Sequence, residues 1–407
     1  MPTIAYFANV FPSSVEPYVI EEIGELQRCG ITVIPCGVLR PRDDLSGEPE
    51  KFAKQTIYLR PLRISLVIHA CWLLIKNGSC LTKEIRRSLQ RRNRSERRLR
   101  ALIHTALGVY YAALLGNRCV DHIHVHHGYF GSWVAMVAAR LLDVPFSMTL
   151  HGSDLLANAA YLDLKLERCQ FCVTISEFNR RYILANYPAV ESEKVYVRRM
   201  GVDCSFSPLL QEKPKTASLT ILAVGRLHAV KDHAFLVRAC QQLKNHGLRF
   251  VCAIAGDGPE RDSLEALIQD LCLEREIRLL GQLKHEELDQ QYDNADLVVL
   301  TSRSEGIPLV LMEAMARGKI VLAPSITGIP ELVVNGTTGF LYQPGLQDDF
   351  IAKVEMISGA NSGLTNVRRT ARQHVAQNFN RAKNLPAFCN LLLANLGNKS
   401  DRAHMAA

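Results

Sequence analysis

The sequence predicts an α/β protein of two Rossmann-like domains facing across a cleft, and three observations carry that expectation. The chain has 407 residues, whereas single hydrophobic cores stop growing at about 250 to 300 residues. Strand-like and helix-like stretches alternate through both halves, the rhythm of parallel sheets covered by helices on both faces. Between the halves lies "SPLLQEKPKTASL" (207–219), polar and proline-containing, which reads as a linker. The expected domains are 1–203, 204–376, and a C-terminal helix in 377–407 that returns to the first domain and runs into a disordered tail.

In chain order, "TIAYFA" reads as a buried first strand. No basic segment followed by a long apolar one precedes it, so no secretion signal is expected. "EPYVIEEIGELQRCG" is a helix, with Pro17 early, Val19, Ile20, Ile23 and Leu26 on one face, and Gly30 as its stop. "ITVIPCG" is the next strand. An insert then occupies 51–115. Its apolar run "ISLVIHACWLLI" (64–75) falls short of the ~20 residues that span a bilayer. Its segment 83–100 holds nine Lys/Arg and two Glu, nearly all of the chain's net charge of +8. Such a pairing suits a helix lying on an anionic membrane surface. A solvated helical face is the other reading, and nucleic acid is disfavoured because aromatics are not interleaved with the basic residues.

"DHIHVHHG" (121–128) follows. In a strand His122, His124 and His126 share one face and Ile123 and Val125 the other. Consecutive same-face Cα atoms are about 7 Å apart, a poor convergent geometry for a shared metal. His122 and His124 therefore read as structural, while His126 falls where the strand opens into the cleft. A helix from about Trp133 to Leu142, then "PFSMTLHG" and "FCVTIS", complete the half. Twelve cysteines scattered among strands and helices suit reduced thiols in a cytosolic setting, and Cys169 and Cys172 read as buried structural thiols.

The second half offers strands "TILAVG", "RFVCAIAG", "IRLLG", "LVVLTS" and "KIVLAP". Ligands of such sheets bind outside the strand C-termini. In "SRSEGIPLVLMEAMARGKIV" (302–321), Glu305 ends a loop after a buried strand and Gly306 permits close backbone approach. Pro308 suits the first turn of a helix whose free N–H groups form an anion and hydroxyl cradle. Glu313, a turn and a half on, can accept both hydroxyls of a ribose. "AVGRLHAVKDH" puts Arg226 just after a strand and Lys231 at the start of the next helix, so both cations can reach one diphosphate. "AGDGPER" (255–261) is a second glycine turn.

Together, "VGRLHAVKD", "AGDGPE", "LLGQL", "SRSEGIPLVLMEAMARGK" and "GIPELVVNGTTGFL", in that order, resemble the retaining glycosyltransferases of family 4, with the GT-B fold. Glu305 and Glu313, with seven residues between them, match the family's two glutamates. "TLHGSD" and "VRRMGVD" extend the likeness to the first half, and "FPSSVEPYVIEEIGELQRCG" with "HIHVHHG" looks like the branch that builds exopolysaccharides such as colanic acid. The resemblance implies transfer of a hexose from a UDP- or GDP-sugar, with retention of configuration, to a glycan or lipid-linked acceptor in cell-envelope polysaccharide synthesis.

It further implies that Arg226 and Lys231 hold the donor diphosphate and that Glu313 binds the ribose. Glu305 and the backbone of Gly306, Ile307 and Pro308 would contact the transferred sugar, with Gly281 of "LLGQL" lining the donor site. His151 would sit by the sugar's reacting face, and Ser14, Glu16 and His126 on the acceptor side. Ser13-Ser14 stands where many relatives carry paired glycines. The sequence has no Asp-x-Asp, so no metal cofactor is expected and the two cations take its place. The implied location is cytoplasmic, with peripheral contact to the inner face of the membrane through 83–100. A sugar-nucleotide epimerase on the same scaffold and a non-catalytic glycan-binding protein are the alternatives; the intact Arg/Lys pair and glutamates favour the transferase.

Overall fold

A computed structural model of the protein describes residues 1–13, 16–41, 47–82, 85–87, 95–156, 159–205, 218–360 and 364–396. Ser14, most of the arginine-rich run, nearly all of the 207–219 stretch and the tail after 396 lie outside the described residues. Two compact units are present: Met1–Arg198 with the stretch from Leu385, and Arg199–Asn384. The sequence-based boundaries at 203/204 and 376/377 are thus shifted, and backbone pairing is the reason. Val202 bridges Asn380 in parallel, its N–H bonding Phe379 O at 2.9 Å while Arg381 N–H bonds Val202 O at 3.0 Å. That pairing holds 199–203 in the second unit.

In the first unit the described strands are β1 (Thr3–Val10), β2 (Thr32–Leu39), β3 (Ile57–Tyr58), β4 (His122–His126), β5 (Phe146–Leu150), β6 (Phe171–Thr174) and β7 (Val195–Val197), in the sheet order β3-β2-β1-β4-β5-β6-β7. All neighbours are parallel. The order reverses between β1 and β4, so the loops leaving those two strands diverge and open a crevice at their C-terminal ends.

Alternation sends Ile4, Tyr6 and Ala8 to one layer and Ala5 and Phe7 to the other. The first layer is closed by the helix Pro17–Arg28, whose Val19, Ile20, Ile23 and Leu26 are buried, and by Phe388, Cys389, Leu391 and Leu392 of the helix Arg381–Leu396. Proline at the start and Gly30 at φ +80° bound the helix Pro17–Arg28. The second layer holds the helices Ser95–Leu115 and Phe130–Leu142, with Tyr111 and Trp133 packed against Phe7, Ile123 and Val125. The latter helix starts at Phe130, three residues before its expected start. Cys169 and Cys172 are buried among these residues, and burial raises both thiols, Cys169 to about 12.

The second unit has β8 (Leu219–Val224), β9 (Phe250–Ala255), β10 (Ile277–Gly281), β11 (Leu297–Val299), β12 (Ile320–Pro324) and β13 (Phe340–Tyr342), in the order β10-β9-β8-β11-β12-β13. These strands are near-continuous apolar runs because both sheet faces are covered. Here the order reverses between β8 and β11, and this unit's crevice opens there.

One expectation about the insert changes. The apolar run 64–75 alone is too short to span a bilayer, but the helix Ile64–Asn77 continues into a tight turn. The resulting stretch Ile64–Leu81 is, by length and composition, the one segment among the described residues able to cross a membrane; only 11% of it is buried.

Candidate active site

In the second unit, three loops at the strand C-termini are joined through their backbones. Gly225 N–H bonds Ala255 O at 2.9 Å, Gly256 N–H bonds Gly281 O at 2.8 Å, and Leu227 N–H bonds Asp257 O at 3.0 Å. The β8 loop also meets the β11 loop: Thr301 Oγ1 donates to Lys231 O at 2.9 Å and Arg303 N–H to Val230 O at 2.8 Å. This lacing brings Lys231 and Glu305, 74 residues apart in sequence, into an ion pair of 2.5 Å at the point where the strand order reverses. Both side chains are mostly but not fully covered, at 21% and 13% exposure.

Arg226 is exposed on the same loop as Lys231. Gly306 and the buried Ile307 follow Glu305, and Thr327 Oγ1 fixes this turn by donating to Glu305 O at 2.6 Å. Pro308 is the N-cap of the helix Leu309–Ala316, one position before the first turn. Glu313, on that helix, accepts a hydrogen bond from Tyr292 Oη at 2.7 Å, and burial raises its carboxyl above the usual range despite that bond. Gly281 ends β10 at φ +73°. Nothing in the sequence pattern marked Tyr292, which reaches Glu313 from a separate helix.

Gly256 has φ +138°, and a Cβ there would lie 2.0 Å from Gly225 O. Gly256→Ala is therefore expected to lose about 3 kcal/mol or more, from backbone strain plus overpacking. Chemical denaturation measures it, and a midpoint equal to wild type would refute the close approach.

The first unit gathers a second cluster at its own crevice. β4 delivers His126, β5 delivers His151, and the helix Pro17–Arg28 with its preceding residue delivers Glu16, Tyr18 and Glu22. His126 Nδ1 is 2.9 Å from His151 Nε2, and His126 Nε2 is 2.7 Å from Glu22 Oε2. Tyr6 Oη, from β1, donates to the same carboxylate oxygen. His151 stacks on Tyr18, ring centroids 4.9 Å apart. His122 and His124 lie fully buried on the same face, bonded to Ser147 Oγ at 2.6 and 2.7 Å.

His127 has left the strand, at φ +69°, a conformation rare for a residue with a side chain. There it meets Glu16 Oε1 at 3.0 Å and Asp154 Oδ2 at 3.6 Å. Burial opposes a charge on His127, but Asp154 and Glu16 outweigh it and take the ring up to about 10. Asp154, with no exposed surface, also accepts backbone N–H groups from Gly128 at 2.9 Å, Gly152 at 2.7 Å and His151 at 3.1 Å. Burial pushes its carboxyl up, and these bonds with His127 hold it well below the usual range. Burial, then the charges of His127 and His126, keep His151 well below its ordinary value. The fully buried Lys165 donates to Gly128 O and Tyr129 O, and burial lowers it to about 7.

Each unit thus collects its predicted residues at its own sheet reversal: Lys231, Glu305, Gly306, Ile307 and Pro308 with Arg226 and Gly281 nearby in the second, Glu16, His126 and His151 in the first. Sequence reasoning missed Tyr6, Tyr18, Glu22, His127, Asp154 and Tyr292. Asp154 had a visible signal, standing three residues after His151 in "LHGSD", the spacing at which a carboxylate reaches back to its own turn. Among the described residues no group of three or more His, Cys, Asp or Glu is arranged to hold a metal ion.

Residues 210–374 match the family model of glycosyl transferases group 1, and residues 69–206 that of glycosyltransferase family 4. The putative colanic acid biosynthesis glycosyltransferase WcaL of Salmonella typhimurium is 36% identical over 196 residues, 46% of this chain and 48% of that protein. The chain thus spans about half the length of that relative. The amylovoran biosynthesis glycosyltransferase AmsK of Erwinia amylovora is 30% identical over 64% of this chain and 67% of its own. The solved structure of Anabaena Alr3699/HepE in complex with UDP superposes with a TM-score of 0.69 at 17% identity, covering 97% of this chain and 100% of that one, a likeness of fold. With two parallel Rossmann-like units and these matches over both halves, the chain belongs to the group 1 glycosyltransferases, family 4.

Proposed function

We propose that the chain is a retaining glycosyltransferase that moves a hexose from a UDP- or GDP-sugar to a glycan or lipid-linked acceptor in exopolysaccharide or cell-envelope polysaccharide synthesis. The observation that carries this reading is the Lys231–Glu305 pair at the reversal between β8 and β11. A departing nucleoside diphosphate gains negative charge as the glycosyl bond breaks, and the sugar gains positive charge. A cation beside a carboxylate, with Arg226 exposed on the same loop, suits both ends of that separation. The names of WcaL and AmsK support the polysaccharide class, and the UDP bound to HepE supports a nucleotide-sugar donor.

In this reading Lys231 and Arg226 bind the diphosphate and serve where other transferases use a metal. Glu313, aligned by Tyr292, accepts the ribose hydroxyls. Glu305 and the turn through Pro308 contact the hexose. Retention follows from front-face attack, the leaving phosphate taking the acceptor's proton. Nucleotide release from a panel of UDP-, GDP- and ADP-sugars tests the reading. A transferase needs an acceptor for full turnover, an epimerase turns over without one, and a binding protein gains thermal stability from a ligand without releasing nucleotide.

Peripheral membrane contact belongs to the same proposal. On the helix Ile64–Asn77, Ile64, Ile68 and Ile75 are 81%, 65% and 85% exposed, and Trp72 is half-exposed. Leu99 and Ile103 of the neighbouring helix are exposed as well. Residues 60–100 carry twelve Lys and Arg against two Glu, and each basic residue near an anionic surface adds about 1 kcal/mol of attraction. The chain is expected to co-sediment with vesicles containing phosphatidylglycerol and not with phosphatidylcholine alone, and Ile68→Glu with Ile75→Glu is expected to abolish this. Equal binding by that double variant, or none by the wild type, would remove the membrane from the proposal.

A further inference from the structure

We propose that Tyr292, Asp289 and Asp293 are positioning residues for Glu313: Tyr292 fixes the direction of its carboxylate, and the two aspartates draw a neighbouring arginine away from it, leaving its charge for a ligand's hydroxyls. The inference rests on the reading above that Glu313 takes the ribose of the donor. None of the family-matching motifs includes these three residues, which lie on the helix His285–Asn294.

Asp289, Tyr292 and Asp293 stand at spacings of three and four, so they share one face of their helix. Glu313 and Arg317, also four apart, stand on the helix Leu309–Ala316 and at its C-cap. A glutamate and an arginine at that spacing ordinarily pair. Here Arg317 turns to the aspartates: Nη2 is 2.5 Å from Asp289 Oδ1, and Nη1 is 3.6 Å from Asp293 Oδ1. Its guanidinium also lies over the Tyr292 ring, 5.5 Å from the centroid. Tyr292, 1% exposed, donates its hydroxyl to Glu313 Oε2 at 2.7 Å.

The consequence is electrostatic. A carboxylate paired with a guanidinium has its lone pairs taken by a rigid fork and its charge already met. Glu313 has instead an uncharged donor on one oxygen, and it is only half-buried, so a ligand can reach it. A carboxylate offers about four acceptor sites, and those that Tyr292 leaves are available to hydroxyls. The Tyr292 bond also restricts a flexible side chain before a ligand arrives, which lowers the cost of binding. The titratable and charged groups facing Glu313 are Tyr292, His285 and Asp289 from one helix and Arg317 from its own. Burial raises the Glu313 carboxyl, and the Tyr292 bond is the largest of the influences that oppose it. Without that bond the carboxyl keeps its proton to higher pH and ceases to be a pure acceptor.

Calorimetric titration of the full chain with UDP and GDP, each beside a dideoxy form lacking both ribose hydroxyls, reads the ribose contribution as a ratio of dissociation constants. That ratio cancels the titration of the diphosphate, which both ligands share. The wild type is expected to prefer the ribose form of the nucleotide it binds by about 10- to 100-fold. Tyr292→Phe keeps the buried ring, and is expected to lose about 10-fold of that preference while binding of the dideoxy form changes by less than about 2-fold. What preference it retains is expected to vanish, as pH falls, at a higher pH than in the wild type. Asp289→Asn with Asp293→Asn frees Arg317 to pair with Glu313, and is expected to reduce the preference by about 5-fold.

Tyr292→Phe with the wild-type preference, or with equal losses on both ligands, overturns the role of Tyr292. An unchanged preference in the double aspartate variant overturns the diversion of Arg317. The two aspartates are 35% and 63% exposed, so that variant decides even where Tyr292→Phe fails to fold. A wild type that binds ribose and dideoxy forms equally removes Glu313 from the ribose and the proposal with it. A wild type that binds neither UDP nor GDP overturns the nucleotide-sugar reading as well.

Discussion

Lys231→Ala is expected to reduce nucleotide release by about 10²- to 10³-fold with the fold intact, the range seen when one preorganised group opposite a developing charge is removed. The 2.5 Å contact with Glu305 means that the cation is partly neutralised before a donor arrives. In the proposed reading, an arriving diphosphate draws Lys231 toward itself and frees Glu305 for the sugar. The two side chains act as a unit, so Lys231→Ala combined with Glu305→Ala is expected to lose far less than the two separate losses multiplied together. Lys231→Arg restores the charge but not a compact ammonium, and only partial recovery is expected. Steady-state release with the donor found in the panel, beside a thermal melt, measures all three. Wild-type rates in a folded Lys231→Ala would remove this pair from the mechanism.

Asp154→Ala is expected to cost about 3 to 5 kcal/mol of stability, because it strands a buried cation on His127 and unpairs three backbone N–H groups together. The effect depends on pH with a definite sign. His127 is raised from about 6.5 to about 10, so its stabilisation is fully present below pH 6.5 and is lost as pH rises toward 10. Asp154 is depressed, so the carboxylate side of the same interaction is present above the ordinary carboxylate range and is lost in strong acid. Lys165 runs the other way: lowered to about 7, it costs stability below that pH, and the cost is relieved as pH rises from 7 toward its ordinary value. Between pH 7 and 10 the losses at His127 and the gains at Lys165 oppose each other. Lys165→Met is therefore expected to show a steeper fall in stability over that interval than the wild type. Parallel curves for the two would show that the titrations are not those described.

Much of the second unit was legible in the sequence because its site residues lie on short loops that follow apolar strands directly. Arg226, Lys231, Glu305 and Pro308 are each within a few residues of a strand end or helix start, where local pattern locates them. The first unit was less legible for a physical reason. Tyr6 and His126 stand 120 residues apart and meet because β1 pairs with β4 in a register that places Tyr6 beside His124. Periodicity tells which face a residue takes and nothing about which strand lies next to it. His127 escaped for another cause: it was read as part of the strand, whereas the chain turns left-handed there and sends its ring to Glu16 and Asp154. The unit boundaries moved because a single backbone bridge at Val202 leaves no trace in composition.

The helix Arg381–Leu396 sets an order of events during synthesis. Phe388, Cys389 and Leu392 complete the layer that also contains Ile4 and Tyr6, so the first unit lacks part of its core until nearly 400 residues have left the ribosome. The second unit, ending at Asn384, has all of its strands before then. The half made first is therefore the half finished last. Until it is finished, the apolar face of Ile4, Tyr6, Ile23 and Leu26 is the surface through which a nascent chain engages chaperones, or other nascent chains.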